Sequence, residues 1–270
     1  MKHLSIKLLF VASAFLAFSC STAKKAGKSK DATAMAKPAG KKPGKDDPQP
    51  YSKVITKEAK SDAGLFTVHT LDDKFFYEIP DSLFDREMLM VTRISKTAAG
   101  LGFGGGKQNE QVLRWEKKGK KVILRVVSYN VTAADSLPVN EAVKNSNFEP
   151  VLFTFPIKAF SKDSTSTVID ATPLFEKDVK SLGLPQFRRT GYRVTRLEGD
   201  KSFIESIKSY PRNIEARHVK TYAAGRPPSN SSTGTISIEI NNPMVLLPDN
   251  PMKRRYFGER VGWFTSGTTD

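Results

Sequence analysis

Three arginines between residues 185 and 195 are the side chains best suited to bind a ligand. Arg188, Arg189 and Arg193 lie beside two aromatic residues, Phe187 and Tyr192. Because a guanidinium group matches the geometry of phosphate and carboxylate, this cluster predicts an anionic partner such as a phosphate, a lipopolysaccharide headgroup or an acidic glycan. The simpler interpretation is a solvated strand or loop, because no second element in the sequence is expected to converge on the cluster.

Residues that could hold a metal ion are sparse. Once an export signal is removed, His69 and His218 are the histidines that remain, and they do not form a His-Glu-x-x-His pair. The single cysteine, Cys20, excludes an intramolecular disulfide and a cysteine-rich metal site. Both histidines are predicted to be ordinary sheet residues, and no metal or cofactor is expected in this chain.

Two other motifs have the composition of functional sites without the required context. A glycine-rich stretch at residues 98–106 could present backbone N–H groups to phosphate, but that use needs a helix to follow it, and a strand is predicted instead. Asp72 and Asp73 lie at a turn, where hydrogen bonds to the backbone explain them. The stretch is therefore predicted to be a flexible loop, and no active site is predicted.

The elements that would position these residues are mostly strands. Residues 64–95 alternate apolar and polar side chains in three runs, which predicts a strand meander. Short helices are expected at 138–144 and from Thr172 to Gly183, and Pro156 is expected at a sheet edge or a bulge. Further strands are predicted at 112–116, 122–129, 151–160, 166–170, 214–222, 236–240 and 244–247. The fold class is therefore mainly β (α+β), with antiparallel meanders and hairpins and one or two short helices packed on the sheet.

The first 47 residues have the pattern of an export signal and a tether. A basic start is followed by an apolar run at residues 8–17, and Leu16 to Cys20 resembles a bacterial lipobox. The resemblance implies cleavage after residue 19 and a membrane lipid on Cys20, which predicts a lipid-anchored protein of the cell envelope, on the periplasmic or outer-membrane face. An ordinary signal peptide with an incidental cysteine is the alternative.

Much of the formal charge of +15 belongs to the predicted tether, residues 20–47, which contains eight lysines between Lys24 and Lys45. Because this segment has almost no large apolar residue, it is expected to be disordered. The high charge therefore does not predict a nucleic-acid partner. Beyond the tether, the sequence predicts a β-meander domain at 48–96 and a second β-rich domain at 97–270. Large aromatics near the end, among them Trp263 and Phe264, have little sequence after them that could bury them, and we therefore expect that the second domain is truncated.

Several segments together resemble the amino-terminal region of the zinc-dependent metalloproteases of the Bacteroidota envelope, in which two domains of unknown function precede a metzincin-like catalytic domain. The resemblance rests on segments that occur in the same order, at residues 51–60, 64–69, 76–83, 91–95, 112–116 and 252–264. It implies that zinc belongs to a catalytic domain downstream of the region matched here. It also implies two partners, that catalytic domain and a peptide or protein substrate.

The expected function is therefore that of the non-catalytic region of a lipid-anchored metallopeptidase, as a fragment without the His-Glu-x-x-His domain. The alternative is an envelope lipoprotein that binds an acidic glycan or peptide. A short pattern at Ser82 and Ser136 also resembles the acceptor site for O-linked glycans in exported Bacteroidota proteins.

Overall fold

A computed structural model describes residues 47–229 and 231–252. These residues form twelve strands and four short helices. The helices are α1 (Tyr51–Val54), α2 (Val139–Ser146), α3 (Thr172–Glu176) and α4 (Gln186–Gly191). The strands are β1 (Lys60–Ala63), β2 (Thr67–Leu71), β3 (Lys74–Pro80), β4 (Glu87–Lys96), β5 (Lys107–Lys118), β6 (Lys121–Val127), β7 (Val151–Phe160), β8 (Ser166–Asp170), β9 (Val194–Leu197), β10 (Phe203–Tyr210), β11 (Asn213–Ala224) and β12 (Thr235–Leu246).

The strands form one antiparallel sheet in the order β1-β2-β3-β8-β7-β6-β5-β4-β12-β11-β10, and β9 pairs with β11 beside this path. The two ends of the sheet approach each other. Leu65, next to β2, donates its N–H to the carbonyl of Tyr210 at 2.7 Å, and the Ser209 hydroxyl donates to the carbonyl of Phe66 at 2.7 Å. The sheet is thus nearly closed, and the mainly β fold predicted from the sequence is confirmed.

An aromatic cluster fills much of the interior. The Trp115 ring on β5 is fully buried and packs against Phe66, Tyr77 and Phe155, with ring centroids 5.9, 6.4 and 5.5 Å apart. These residues come from widely separated parts of the sequence. The alternation of apolar residues along each strand places them on the inner face of the closing sheet.

The predicted meander is only partly right. β2 and β3 are adjacent, but β8, β7, β6 and β5 lie between β3 and β4. Asp85, in a left-handed conformation with φ 60°, redirects the chain after β3 and donates its N–H to the Trp115 carbonyl at 2.8 Å. Strands of the predicted 48–96 segment therefore pair with strands from residues 97–252, and the division into two domains stays a prediction.

Two strand predictions also change. The two strands predicted at 236–240 and 244–247 are one continuous strand, β12, which pairs with β11 from Ala223 to Asn213. β7 as a whole runs between β6 and β8, but β8 pairs with it only from Ile157, so Pro156 lies on a stretch of an interior strand that is locally unpaired on its β8 side. The β7–β8 register shifts just after Pro156, between Ile157 and Ala159.

The helix predicted from Thr172 to Gly183 begins at Thr172 as predicted but is much shorter, and the described residues contain four short helices rather than one or two. α3 ends at Glu176, because Lys177 is extended with φ −76° and ψ 163°. The apolar spacing that suggested the helix still buries Phe175 and Leu182. Within the described residues, no helix has both the length and the apolar content needed to cross a bilayer.

Candidate functional site

The three arginines of the sequence-predicted cluster have different environments. Arg188 and Arg189 lie on the short helix α4 rather than on the strand or loop expected there, whereas Arg193 lies in the turn between α4 and β9. Arg189 is buried and forms a two-pronged ion pair with Asp178, at 2.6 and 2.8 Å. Its Nε donates to the carbonyl of Leu184 at 2.7 Å, and its guanidinium lies 4.8 Å from the centre of the Tyr222 ring. The hydrogen bond from Arg189 holds the pKa of the Asp178 carboxyl below its usual value.

Arg188 and Arg193 do not join this ion pair. The Arg188 guanidinium donates to the carbonyl of Leu101 and lies 5.6 Å from the centre of the Phe187 ring. Arg193 is exposed, and its backbone is left-handed with φ 52°. The structure therefore directs the three guanidinium groups to different places, and an anion at Arg188 or Arg193 stays a prediction.

A column of buried polar side chains lies on the inner face of β11. His218, Lys220 and Tyr222 alternate along the strand, and each is fully buried. The Lys220 ammonium donates to the carbonyl of Lys177 at 2.6 Å. Burial lowers the pKa of Lys220 to about 8, and the charge of Arg189 acts in the same direction, whereas the charge of Asp178 opposes it.

His218 begins a chain of hydrogen bonds that crosses three elements. Its Nε2 lies 2.6 Å from Oδ1 of Asn242, the Asn242 amide donates to the Thr92 hydroxyl at 2.8 Å, and Thr92 donates to the carbonyl of Ser181 at 3.0 Å. Burial, and secondarily the charge of Lys220, lowers the pKa of His218 to about 3. The neutral ring and the buried lysine thus hold residues 177–184 against the sheet; we call these residues the inner segment.

Two clefts open beside the inner segment. The larger, of about 620 Å³, lies between Lys177–Ser181 and one group of apolar residues from β6, β7 and the residue before β7. That group is Val126, Pro150, Val151, Leu152 and Phe153. The smaller cleft, of about 300 Å³, lies between residues 180–189 and two amide side chains of β5, Gln108 and Asn109. The larger volume falls in the range of ligand sites in proteins.

A second polar cluster occupies the outer face of β1, β2 and β3. Nδ1 of His69 lies 2.8 Å from the Ser61 hydroxyl, and Nε2 lies 3.0 Å from Oε2 of Glu78. The Tyr51 hydroxyl of α1 donates to the same Glu78 oxygen at 2.7 Å. The hydrogen bond from His69 is the main cause of the lowered pKa of Glu78.

This cluster has the residue types of a Ser-His-acid triad, but the ring is turned. In hydrolase triads the serine contacts Nε2 and the acid contacts Nδ1, whereas here each contact is on the other nitrogen. Tyr51 also occupies the carboxylate oxygen that orients His69. The cluster therefore joins α1 to three strands, and its main effect is structural.

Sequence reasoning missed both polar clusters. The outer cluster depends on strand register, since Ser61 pairs directly with His69 while Glu78 lies diagonally across from it, opposite Thr67. The turn that the sequence predicts at Asp72 and Asp73 is the signal that could have revealed that Glu78 lies close to His69. Lys220 gave no such signal, because its neighbour on the inner segment is a backbone carbonyl.

The remaining predicted sites lie on loops, on a single helical turn or outside the described residues. Residues 98–106 form a loop with Phe103 almost fully exposed, Ser82 lies in a single helical turn at Asp81–Leu83, and Ser136 is exposed before α2. Cys20 and residues 21–46 of the predicted tether lie outside the described residues, as do Trp263 and Phe264. In the described ranges, no three His, Cys, Asp or Glu side chains are grouped as a metal site would require.

Two family models match the sequence. The Domain of unknown function DUF5118 matches residues 48–97, and the Domain of unknown function DUF5117 matches residues 105–270. No curated protein and no solved structure matches the chain.

Proposed function

Since the chain belongs to the DUF5117 family, whose model spans more than half of it, we propose that it serves as the non-catalytic region of a lipid-anchored, zinc-dependent metallopeptidase of the cell envelope. In this role the sheet supports the catalytic domain and helps to shape its substrate cleft. Zinc belongs to that catalytic domain, and the membrane contact is the lipid on Cys20.

The observation that carries the proposal is the ordered resemblance of six sequence segments. Two of these segments, at residues 91–95 and 112–116, lie in the neighbouring strands β4 and β5. The bonding of the buried polar residues agrees with a supporting role, because Lys220 and His218 are both engaged in holding the inner segment.

Zinc content and peptide hydrolysis of the purified chain test this proposal. We expect no retained zinc and no hydrolysis that a chelator abolishes. We also expect the chain to bind a His-Glu-x-x-His domain encoded in the same frame or in an adjacent gene, and to raise the kcat/KM of that domain. Stoichiometric zinc together with chelator-sensitive hydrolysis by the chain alone would overturn the proposal, as would a locus that encodes no such domain.

A second candidate function is an envelope lipoprotein module that binds an acidic glycan. The exposed Arg193 favours it, together with the neighbouring Arg188. Capture of the chain on an immobilised acidic glycan, compared with an Arg188→Ala/Arg193→Ala variant, tests it. Equal capture of both proteins contradicts a role for these arginines.

A further inference from the structure

Strand β7 has two neighbours that cover different halves of it. β6 pairs with β7 from Val151 to Pro156, whereas β8 pairs with it only from Ile157 to Phe160. Beyond Asp170 the chain stays beside β3, where Ala171 donates its N–H to the Phe75 carbonyl at 2.8 Å. The first half of β7 therefore has one side outside the β8 ladder.

The pairing pattern identifies which backbone groups face that side. Ile157 donates its N–H to the Lys120 carbonyl at 3.0 Å, so the groups of Ile157 face β6. Since successive residues of an antiparallel strand direct these groups to opposite sides, Phe155 and Phe153 also face β6, and Thr154 faces away from it. The N–H and C=O of Thr154 thus point to the open side, and its side chain is exposed.

We propose that this open edge, residues 152–154 of β7, binds an extended acidic peptide as an added strand. Addition of a strand to a sheet edge uses backbone hydrogen bonds for affinity and neighbouring side-chain sites for selectivity. The larger cleft borders this edge, since Leu152 and Phe153 form part of its wall together with Gln111 of β5 and Val126 of β6. An extended peptide paired with Thr154 would lie beside that cleft and could direct alternate side chains into it.

The charged residues that line the cleft determine which kind of peptide would bind there. Lys177 and Lys180 are exposed on the wall opposite β7, and the Lys177 ammonium lies 5.9 Å from the centre of the Phe153 ring. Asp178 is the acid on that wall, but its charge is matched by Arg189. The wall is therefore basic and faces apolar side chains, which suits a peptide that alternates carboxylates with apolar residues.

The same charges argue against two other occupants. The lysine-rich residues 24–45 of the chain itself would place like charges beside Lys177 and Lys180. A second copy paired edge to edge would do the same. The occupant is therefore a segment of another protein, and this inference rests on the proposed function for its source, a substrate of the peptidase.

Backbone methylation of the peptide tests the mode of binding. The probe is a fluorescent nine-residue peptide that alternates glutamate and valine, titrated with the full chain. Methylation of every second amide removes the donors on one side of the peptide strand only. We expect one methylated set to abolish binding and the other to leave it nearly unchanged, whereas equal effects of the two sets would overturn the strand addition.

Amide hydrogen exchange locates the site. On peptide binding we expect slower exchange at Thr154, with little change at Phe153, whose N–H already faces β6. Unchanged exchange at Thr154 in the presence of bound peptide would place the site elsewhere and overturn the inference. This measurement needs no variant, so it does not depend on how a substitution folds.

Charge reversal tests selectivity. A Lys177→Glu/Lys180→Glu variant should bind the acidic probe about tenfold more weakly or worse, while a Lys162→Glu/Lys208→Glu control on exposed positions elsewhere should bind it as before. Equal loss in both variants would overturn the assignment of the basic wall.

A dimer that the peptide dissociates would show that a second copy is the occupant. Failure of peptide binding refutes this edge alone, because zinc content and domain binding test the proposed function separately.

Discussion

Lys220 is the residue whose environment departs most from what the sequence suggests. It lies on a strand predicted from an apolar pattern, yet its ammonium is fully buried and bonds to a backbone carbonyl. Holding a charge there costs free energy, which is why burial lowers the pKa of Lys220 to about 8 from its ordinary value of 10.5. This free-energy cost applies to the folded state alone, so the contribution of Lys220 to stability depends on pH.

Replacement of this lysine tests the sign of the effect. Below pH 8 the ammonium is charged in both states, and between pH 8 and 10.5 the unfolded chain binds more protons, so stability should rise with pH in that window. Lys220→Met should remove this rise, because no titrating group is left at that position. Urea unfolding at pH 7 and pH 9.5 measures the difference. The exposed Lys208→Met is the control, and an equal change in it would contradict the assignment.

The outer cluster supports a second prediction at this scale. Tyr51→Phe should lower the free energy of unfolding by about 1 kcal/mol, because the partly buried Glu78 loses a hydrogen-bond donor. Ser61→Ala should cost less, since Ser61 is exposed.

Because the pKa of Glu78 is lowered in the folded state, the stability that it contributes is present above its unfolded pKa and is lost as the pH falls through the folded value. Chemical unfolding between pH 3 and pH 7 measures this, and Glu78→Gln should reduce the loss.

Labelling with a fluorophosphonate probe tests whether Ser61 of the outer cluster is an activated serine. Labelling of Ser61 that disappears in a His69→Asn variant would show an activated serine and contradict the structural role. No labelling is expected, because the ring presents Nδ1 to the serine and its acid is shared with Tyr51.

At the scale of elements, the inner segment shows where sequence patterns stop being sufficient. Phe175, Val179 and Leu182 have the spacing of one helical face and all pack on the core, but this spacing does not distinguish a helix from a short helix followed by extended chain. The deciding contacts are tertiary, namely the bond from Lys220 to the Lys177 carbonyl and the pair of Asp178 with Arg189. The strands predicted at 112–116 and 122–129 lie side by side in β5 and β6, a pairing that depends on a short local turn.

The Asp178–Arg189 pair should therefore be a main anchor of the inner segment. Asp178→Asn leaves the buried Arg189 guanidinium without its counter-charge and should lower the free energy of unfolding by roughly 1–3 kcal/mol. Thermal or urea unfolding measures this. Arg196→Ala is the matched control, since it breaks an ion pair with Glu198 in which the arginine side chain is 73% exposed, and should cost little. A larger loss in the control than in Asp178→Asn would contradict the anchoring role.

At the scale of the whole molecule, sequence predicted the sheet but not its order. Most strands were identified from their alternation, yet the neighbours of β3 and β4 are distant in sequence and depend on how the sheet closes. The open edge of β7 follows from that order, because β8 leaves β7 to follow β3. Strand periodicity carries no information about such long-range pairing, so the cleft could not be predicted from sequence.

Closure of the sheet depends on the absence of a side chain at Gly64. A Cβ at this position would lie 2.7 Å from the backbone nitrogen of Tyr210 and 2.5 Å from the Ser209 hydroxyl oxygen, at the point where the two ends of the sheet meet. Backbone cannot move aside as a flexible side chain can, so Gly64→Ala should lower the free energy of unfolding by about 1–3 kcal/mol. Gly191→Ala is the control, because a Cβ there meets no atom within 4 Å. Urea unfolding compares the two variants, and hydrogen exchange at Leu65, whose N–H bonds to Tyr210, should accelerate only in Gly64→Ala. Equal stability of the two variants would mean that the ends of the sheet are not held together at this contact.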